Sequence, residues 1–125
     1  MRILIIEDAP LVRKMYGLAF SAHEHQLSCA ENGRLGLELL AKEGPFDVVL
    51  LDLRMPDMNG VDFIRAVQRQ RALRHLPIVL TTAEADDSPL LREATGLHVA
   101  AVVKKPWKPK ELRAVVESVV GTASR

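Results

Sequence analysis

The chain has 125 residues, 48% hydrophobic and 26% charged, the makeup of one soluble domain with a single core and no length for a second. Lysine and arginine number 17 against 16 aspartates and glutamates, mixed along the sequence to a formal charge of +1, so no basic block is read that would bind nucleic acid. Apolar runs are too short to cross a membrane and no signal-peptide profile opens the chain, so a cytoplasmic protein without a membrane partner is expected, and the lone Cys29 excludes an internal disulfide.

Short apolar runs, each followed by apolar residues three and four apart, predict buried strands alternating with amphipathic helices. Strands are expected at about residues 2–6, 26–30, 46–52, 77–82 and 99–103. The first run, Ile3-Leu4-Ile5-Ile6, ends on Glu7-Asp8, and the helix after it shows a stripe of Leu11, Met15 and Leu18. Cys29 reads as a small hydrophobe of the second strand. The second helix carries Leu37, Leu40 and Ala41 and stops at Gly44-Pro45, with Gly44 expected as a left-handed C-terminal cap. Val48-Val49-Leu50-Leu51 ends on Asp52 and breaks at once into a loop, and the third helix shows Phe63, Ile64 and Val67. Ile78-Val79-Leu80 leads into Thr81-Thr82. Ser88-Pro89 then supplies a cap and a first-turn proline for a helix with Leu90, Leu91 and Ala94, and Gly96 is expected as its left-handed C-terminal cap. Ala100-Ala101-Val102-Val103 precedes Lys104-Lys105-Pro106, and Leu112, Val115, Val116 and Val119 mark the last helix. The domain is expected over residues 1–121, with 122–125 a tail or the start of a removed linker.

Strict alternation implies parallel strands joined by right-handed crossovers, an α/β doubly wound sandwich whose site lies beyond the carboxyl ends of the strands. Polar residues end four of the five strands at that edge. If the first and third strands are neighbours, Glu7, Asp8 and Asp52 converge, and three like charges need a counter-charge. A hard divalent cation with oxygen ligands, magnesium, suits them. Lys105 reaches the same edge, where its ammonium can pair with Asp52 and hold a phosphoryl oxygen, and Thr82 brings a hydroxyl. An ionised aspartate needs no general base, so this set suits phosphoryl transfer onto Asp52 itself, giving an aspartyl phosphate.

Five segments in this order, Ile5-Ile6-Glu7-Asp8, Asn32-Gly33 opening the second helix, Asp52-Leu53-Arg54-Met55-Pro56-Asp57-Met58-Asn59-Gly60, Thr82-Ala83 and Lys105-Pro106, make the chain resemble the receiver domains of bacterial two-component response regulators, chemotaxis regulators among them. The resemblance covers essentially the whole length. It implies a flavodoxin-like five-stranded parallel sheet of order 2-1-3-4-5 with five helices. It implies that Asp52 accepts a phosphoryl group from a sensor histidine kinase or a histidine phosphotransfer protein, with Mg2+ held by Glu7, Asp8, Asp52 and the backbone carbonyl of Arg54. Thr82 would turn to the phosphoryl group, Ala83 would leave it room, Lys105 would bridge it, and Lys105-Pro106 would be cis. Signal would leave through the fourth helix, fifth strand and fifth helix toward a downstream protein or output domain, a face that also serves homodimers in the family. Such a domain catalyses its own phosphorylation and dephosphorylation without being a turnover enzyme.

Two positions depart from the family pattern. An aromatic residue commonly lies three before the lysine, where this chain has Val102, and the residue before the lysine is commonly apolar, where it has Lys104, which strand alternation aims away from the site. Arg54 and Glu84, two past Asp52 and Thr82, are expected to flank the mouth and pair across it. Each residue has a plainer role: Asp8 as a helix cap, Asp52 as a turn starter, Thr82 as a β-branched strand residue, Lys105 as a solvated charge. Trp107 is expected beside Pro106 and partly buried, His75 and His98 on the surface, and His23 and His25 as a poor metal pair. Competing readings are a carboxylate-nucleophile phosphatase, which Arg54 argues against, a flavodoxin-like cofactor binder, which the acidic first loop argues against, and a non-phosphorylated interaction module, which Val102 keeps open.

Overall fold

The structure, a computed structural model, describes residues 1–21 and 24–123. Five strands, β1 (Arg2–Ile6), β2 (Gln26–Ala30), β3 (Val48–Leu51), β4 (Ile78–Thr82) and β5 (Ala101–Lys104), alternate with α1 (Pro10–Ala19), α2 (Gly33–Glu43), α3 (Gly60–Gln68), α4 (Pro89–Thr95) and α5 (Pro109–Ala123). A 3-10 turn, Arg71–Leu73, leads into β4. All strand pairs are parallel and the order is β2-β1-β3-β4-β5.

The central strands are apolar without alternation because both faces are covered. On one face Leu4, Ile6, Val49, Leu51 and Leu80 meet α2, α3 and α4 through Leu40, Phe63, Ile64 and Leu91. On the other Ile3, Ile5, Leu50 and Val79 meet α1 and α5 through Tyr16, Phe20, Leu112 and Val116. Each such side chain, wholly buried, contributes about 1.5–3 kcal/mol of transfer free energy.

Caps follow the sequence at most ends. Asn32 accepts from the Leu35 amide at 2.8 Å, Asn59 from Asp62 at 3.0 Å and Ser88 from Leu91 at 3.3 Å, and each opens a helix. Ala9 stands at the start of α1 without a side-chain cap, so Asp8 is no helix cap.

Three local expectations are corrected. The buried stripe of α1 is Tyr16 and Ala19 with Val12 and Met15, and Leu11 and Leu18 face solvent, because Tyr16 is drawn under the sheet by a bond to Thr81. Gly96 is right-handed and the positive φ falls on His98, two residues later. Gly44 likewise has a negative φ and precedes a cis Pro45. Helix α5 runs through Gly121 to Ala123, past the point where a tail was expected, and Ser124 and Arg125 lie outside the described residues, as does His23.

Candidate functional site

The parallel ladders run one residue beyond the strands and so fix the site. The Glu7 amide donates to Ala30 at 3.0 Å, Asp52 to the Ile6 carbonyl at 3.1 Å and Lys105 to the Thr82 carbonyl at 2.8 Å, which pins three charged residues at one edge. Behind Asp52 the loop turns back so that the Gly60 amide donates to the Leu53 carbonyl at 2.8 Å. A side chain at position 60 would come within 2.9 Å of the Leu53 backbone and 3.0 Å of the Asp52 carbonyl, so only glycine permits this approach.

One carboxylate oxygen from each of Glu7, Asp8 and Asp52 lies within 4.8 Å of the others. Glu7 is buried and both its oxygens are engaged: Oε1 accepts from Lys105 Nζ at 2.6 Å and Oε2 from the Ala9 amide at 3.3 Å. Lys105 Nζ stands 3.6 Å from Asp52 Oδ1. Burial, reinforced by the Glu7 charge, pushes the Asp52 carboxyl up to about 6 against the pull of Lys105. One ammonium thus pairs with Glu7 and Asp52 and leaves Asp8, the third carboxylate, without an ion pair among the described residues. The deficit of positive charge, the all-oxygen donors and the exposure of Asp8 together fit a hard divalent cation that retains water.

Thr82 ends β4 at the same edge, beside Lys105. Its hydroxyl accepts from the Glu84 amide at 3.0 Å, and it is buried. Glu84 is held at every polar group: Arg54 Nε donates to Oε2 at 2.8 Å, Ser88 Oγ donates to Oε1 at 2.8 Å, and Lys104 Nζ donates to its carbonyl oxygen. The Arg54 and Ser88 bonds hold the Glu84 carboxyl below its ordinary range, and Arg54 in turn is raised. Lys104 also pairs with Asp86 at 3.1 Å.

The structure therefore brings together Glu7, Asp8, Asp52, Thr82 and Lys105, and it joins Arg54 to Glu84. Ala83 is exposed beside them. The Lys105–Pro106 peptide is cis. Val102 is 36% exposed on the face where it pairs with Leu80, so no aromatic ring stands behind Thr82 from that position. Lys104 points away from Asp52, as alternation requires, yet lands on the loop after β4. Sequence reasoning missed that contact, and also Arg13, whose Nη1 donates to the Glu7 carbonyl at 3.0 Å. Arg13 has a legible signal, since it lies in the first turn of a helix that starts at the site. Trp107 is buried and its ring lies 4.9 Å from that of Tyr16. His75 and His98 are exposed.

The profile of the response regulator receiver domain matches residues 3–117. The chain is 32% identical over 120 residues to the chemotaxis protein CheY of Pseudomonas aeruginosa, covering 95% of both chains. It is 36% identical over 116 residues to the regulatory protein AtoC of Escherichia coli, covering 93% of this chain but only 24% of that protein. Among solved structures it superimposes on the receiver domain of a signal transduction histidine kinase from Syntrophus aciditrophicus with a TM-score of 0.88 at 25% identity, covering 99% of this chain and 92% of that one. The chemotaxis protein CheY4 of Vibrio cholerae gives 0.84 at 28% identity, with 94% and 97% covered. Among the described residues no helix is long and apolar enough to cross a membrane.

Proposed function

The chain belongs to the response regulator receiver domain family of two-component signalling, and on that footing we propose that it is a phosphorylation-controlled switch with Asp52 as acceptor. The observation that carries the reading is the gathering of Glu7, Asp8, Asp52 and Lys105 at one strand edge within hydrogen-bonding and ligand distances. The donor is a phosphohistidine of a sensor kinase or phosphotransfer protein. An Asp52 carboxylate oxygen attacks phosphorus, the phosphorus–nitrogen bond breaks, and the departing imidazole takes a proton from solvent. Because Asp52 titrates near 6, it is ionised and nucleophilic at neutral pH without a base. Glu7, Asp8, Asp52 and the Arg54 carbonyl would hold magnesium, which would supply neutralisation of charge on the transferring oxygens. Lys105 supplies the rest from the protein.

The acyl phosphate adds roughly −1.5 to −2 charge and three acceptor oxygens. Thr82 turns its hydroxyl to donate to one of them, and the Glu84 amide loses its acceptor. The loop after β4 then rests on Arg54, Ser88 and Lys104, and its altered state is read on the face of α4, β5 and α5 by a downstream protein, an output domain or a second copy. Arg54 and Glu84 together screen the acyl phosphate from water and set its lifetime. Dephosphorylation faster in Arg54→Ala and Glu84→Ala than in the wild type is expected, and equal rates in all three would remove that role.

The decisive test is incubation with acetyl phosphate and magnesium followed by detection of an acid-stable, base-labile phosphoryl adduct. Asp52→Asn is expected to abolish it, and labelling that survives the substitution refutes the assignment. The exposed Val102 favours a second reading, an interaction module that keeps the fold without the switch, and absence of any adduct would select it.

A further inference from the structure

At the opposite end of the sheet from the carboxylates the charge is reversed. The segment from Arg65 to His75 holds four arginines and no acidic residue, more positive charge than the net +1 of the whole chain. Spread through a sequence of mixed sign it does not stand out, but the 3-10 turn folds it back beneath the start of β4. There Arg65, Arg69 and Arg74, with Gln68, line one recess of about 300 Å3.

A cavity of about 500 Å3 shares Gln68 and Arg74 with the recess and runs between α3, the entry to β4 and α5. Its walls are mixed: Val67, Leu76, Ile78 and Val119 are apolar, and Gln68, Arg74, His75, His98 and Ser118 bring polar groups to it. That size lies within the range of small-molecule sites, and a lining divided between apolar and polar groups suits an organic body that carries heteroatoms.

The guanidinium groups are under-compensated. Arg65 pairs with Glu93 at 3.1 Å, and Arg74 Nε donates to the Gln68 carbonyl at 3.1 Å, which leaves its charge unpaired. Arg69 makes no side-chain bond among the described residues. Three arginines share one carboxylate, and their planar forks match the paired oxygens of a phosphate.

We propose that this recess and cavity form a binding site for a small organic phosphate of nucleotide size, its phosphates on Arg69 and Arg74 and its body in the adjoining chamber. The site is separate from the phosphoryl-accepting edge and does not rest on the reading of Asp52. An apolar ligand would leave the arginines unused, and inorganic phosphate would leave the chamber empty.

The test is backbone-amide NMR of the full chain, titrated in EDTA with ATP, adenosine and pyrophosphate in turn. ATP is expected to give saturable shifts at both residues 65–78 and 97–100, pyrophosphate only at the arginine segment, and adenosine far weaker ones. Arg69→Ala is expected to weaken ATP binding at least tenfold, and Arg69→Ala with Arg74→Ala to abolish it. The single variant removes a side chain with no bond to lose, so its fold is not at issue. No saturable shift with ATP, or equal affinity in the Arg69→Ala variant, overturns the proposal. So does an oligonucleotide that shifts the arginine segment more strongly than ATP while the chamber amides stay still, which would mark a general polyanion surface.

Discussion

On one face of the sheet α1 and α5 close over the strands with Tyr16, Phe20, Trp107 and Val116 all at most 4% exposed, whereas on the other the cover thins toward β5, where Val102 is 36% exposed. The two faces share strands and differ in how much apolar surface each helix brings. Helix α5 is 15 residues long and α4 only 7, so the α4 side has less with which to seal. Local stability follows the density of buried contacts, so the α1/α5 face should hold the fold and the α4 side should move. The loop after β4 lies on the thin side, fastened by polar contacts that can be exchanged.

The sharpest way to break this contrast is truncation on each side. Trp107→Ala is expected to destabilise by about 3–5 kcal/mol in chemical denaturation, and Val102→Ala by less than about 1 kcal/mol. Similar losses would show that the faces are equally coupled to global unfolding. Next in size, Tyr16→Phe leaves the buried Thr81 hydroxyl without its 2.6 Å partner and is expected to lower stability by about 1–3 kcal/mol with unchanged secondary structure by circular dichroism.

The site gives a pH-dependent effect of smaller size. Asp52 binds its proton more tightly in the fold, at about 6 against the ordinary 3.8, so the folded state loses stability as pH rises through that interval. In EDTA, Asp52→Asn should therefore exceed the wild type in stability above pH about 6, by on the order of 1–2 kcal/mol, and match it below pH about 4. A gain constant across pH would place its cause outside the Asp52 charge. Smallest in stability is Lys104→Ala, expected to change it by less than about 1 kcal/mol because the ion pair is exposed, while hydrogen exchange of residues 83–88 speeds up. Unchanged exchange would mean that Lys104 does not restrain the loop.

The five strands and the acidic edge were legible because continuous apolar runs end on charged or hydroxyl residues, and a parallel sheet must carry those ends to one side. The α1 stripe was not. Of the expected stripe only Met15 packs on the core, because Leu11, Met15 and Leu18 have the same helical spacing as Val12, Tyr16 and Ala19, and the choice is made by a hydroxyl pair 65 residues apart in sequence. Alternation correctly turned Lys104 from Asp52 but could not say what stood on the other side, because the loop after β4 has no periodicity. Gly96 failed as a left-handed cap because the chain turns two residues later, at His98. The arginine recess escaped notice because charge averaged over the sequence conceals what one tight turn concentrates.

Trp107 is the chain's lone indole, two peptide bonds beyond Lys105, sealed from solvent and packed at a tilt against Tyr16. Any displacement of the lysine at the acidic edge is therefore passed along a short stretch of backbone to a chromophore buried among the side chains of α1 and α5. The molecule carries its own optical gauge, one that can be followed without a label.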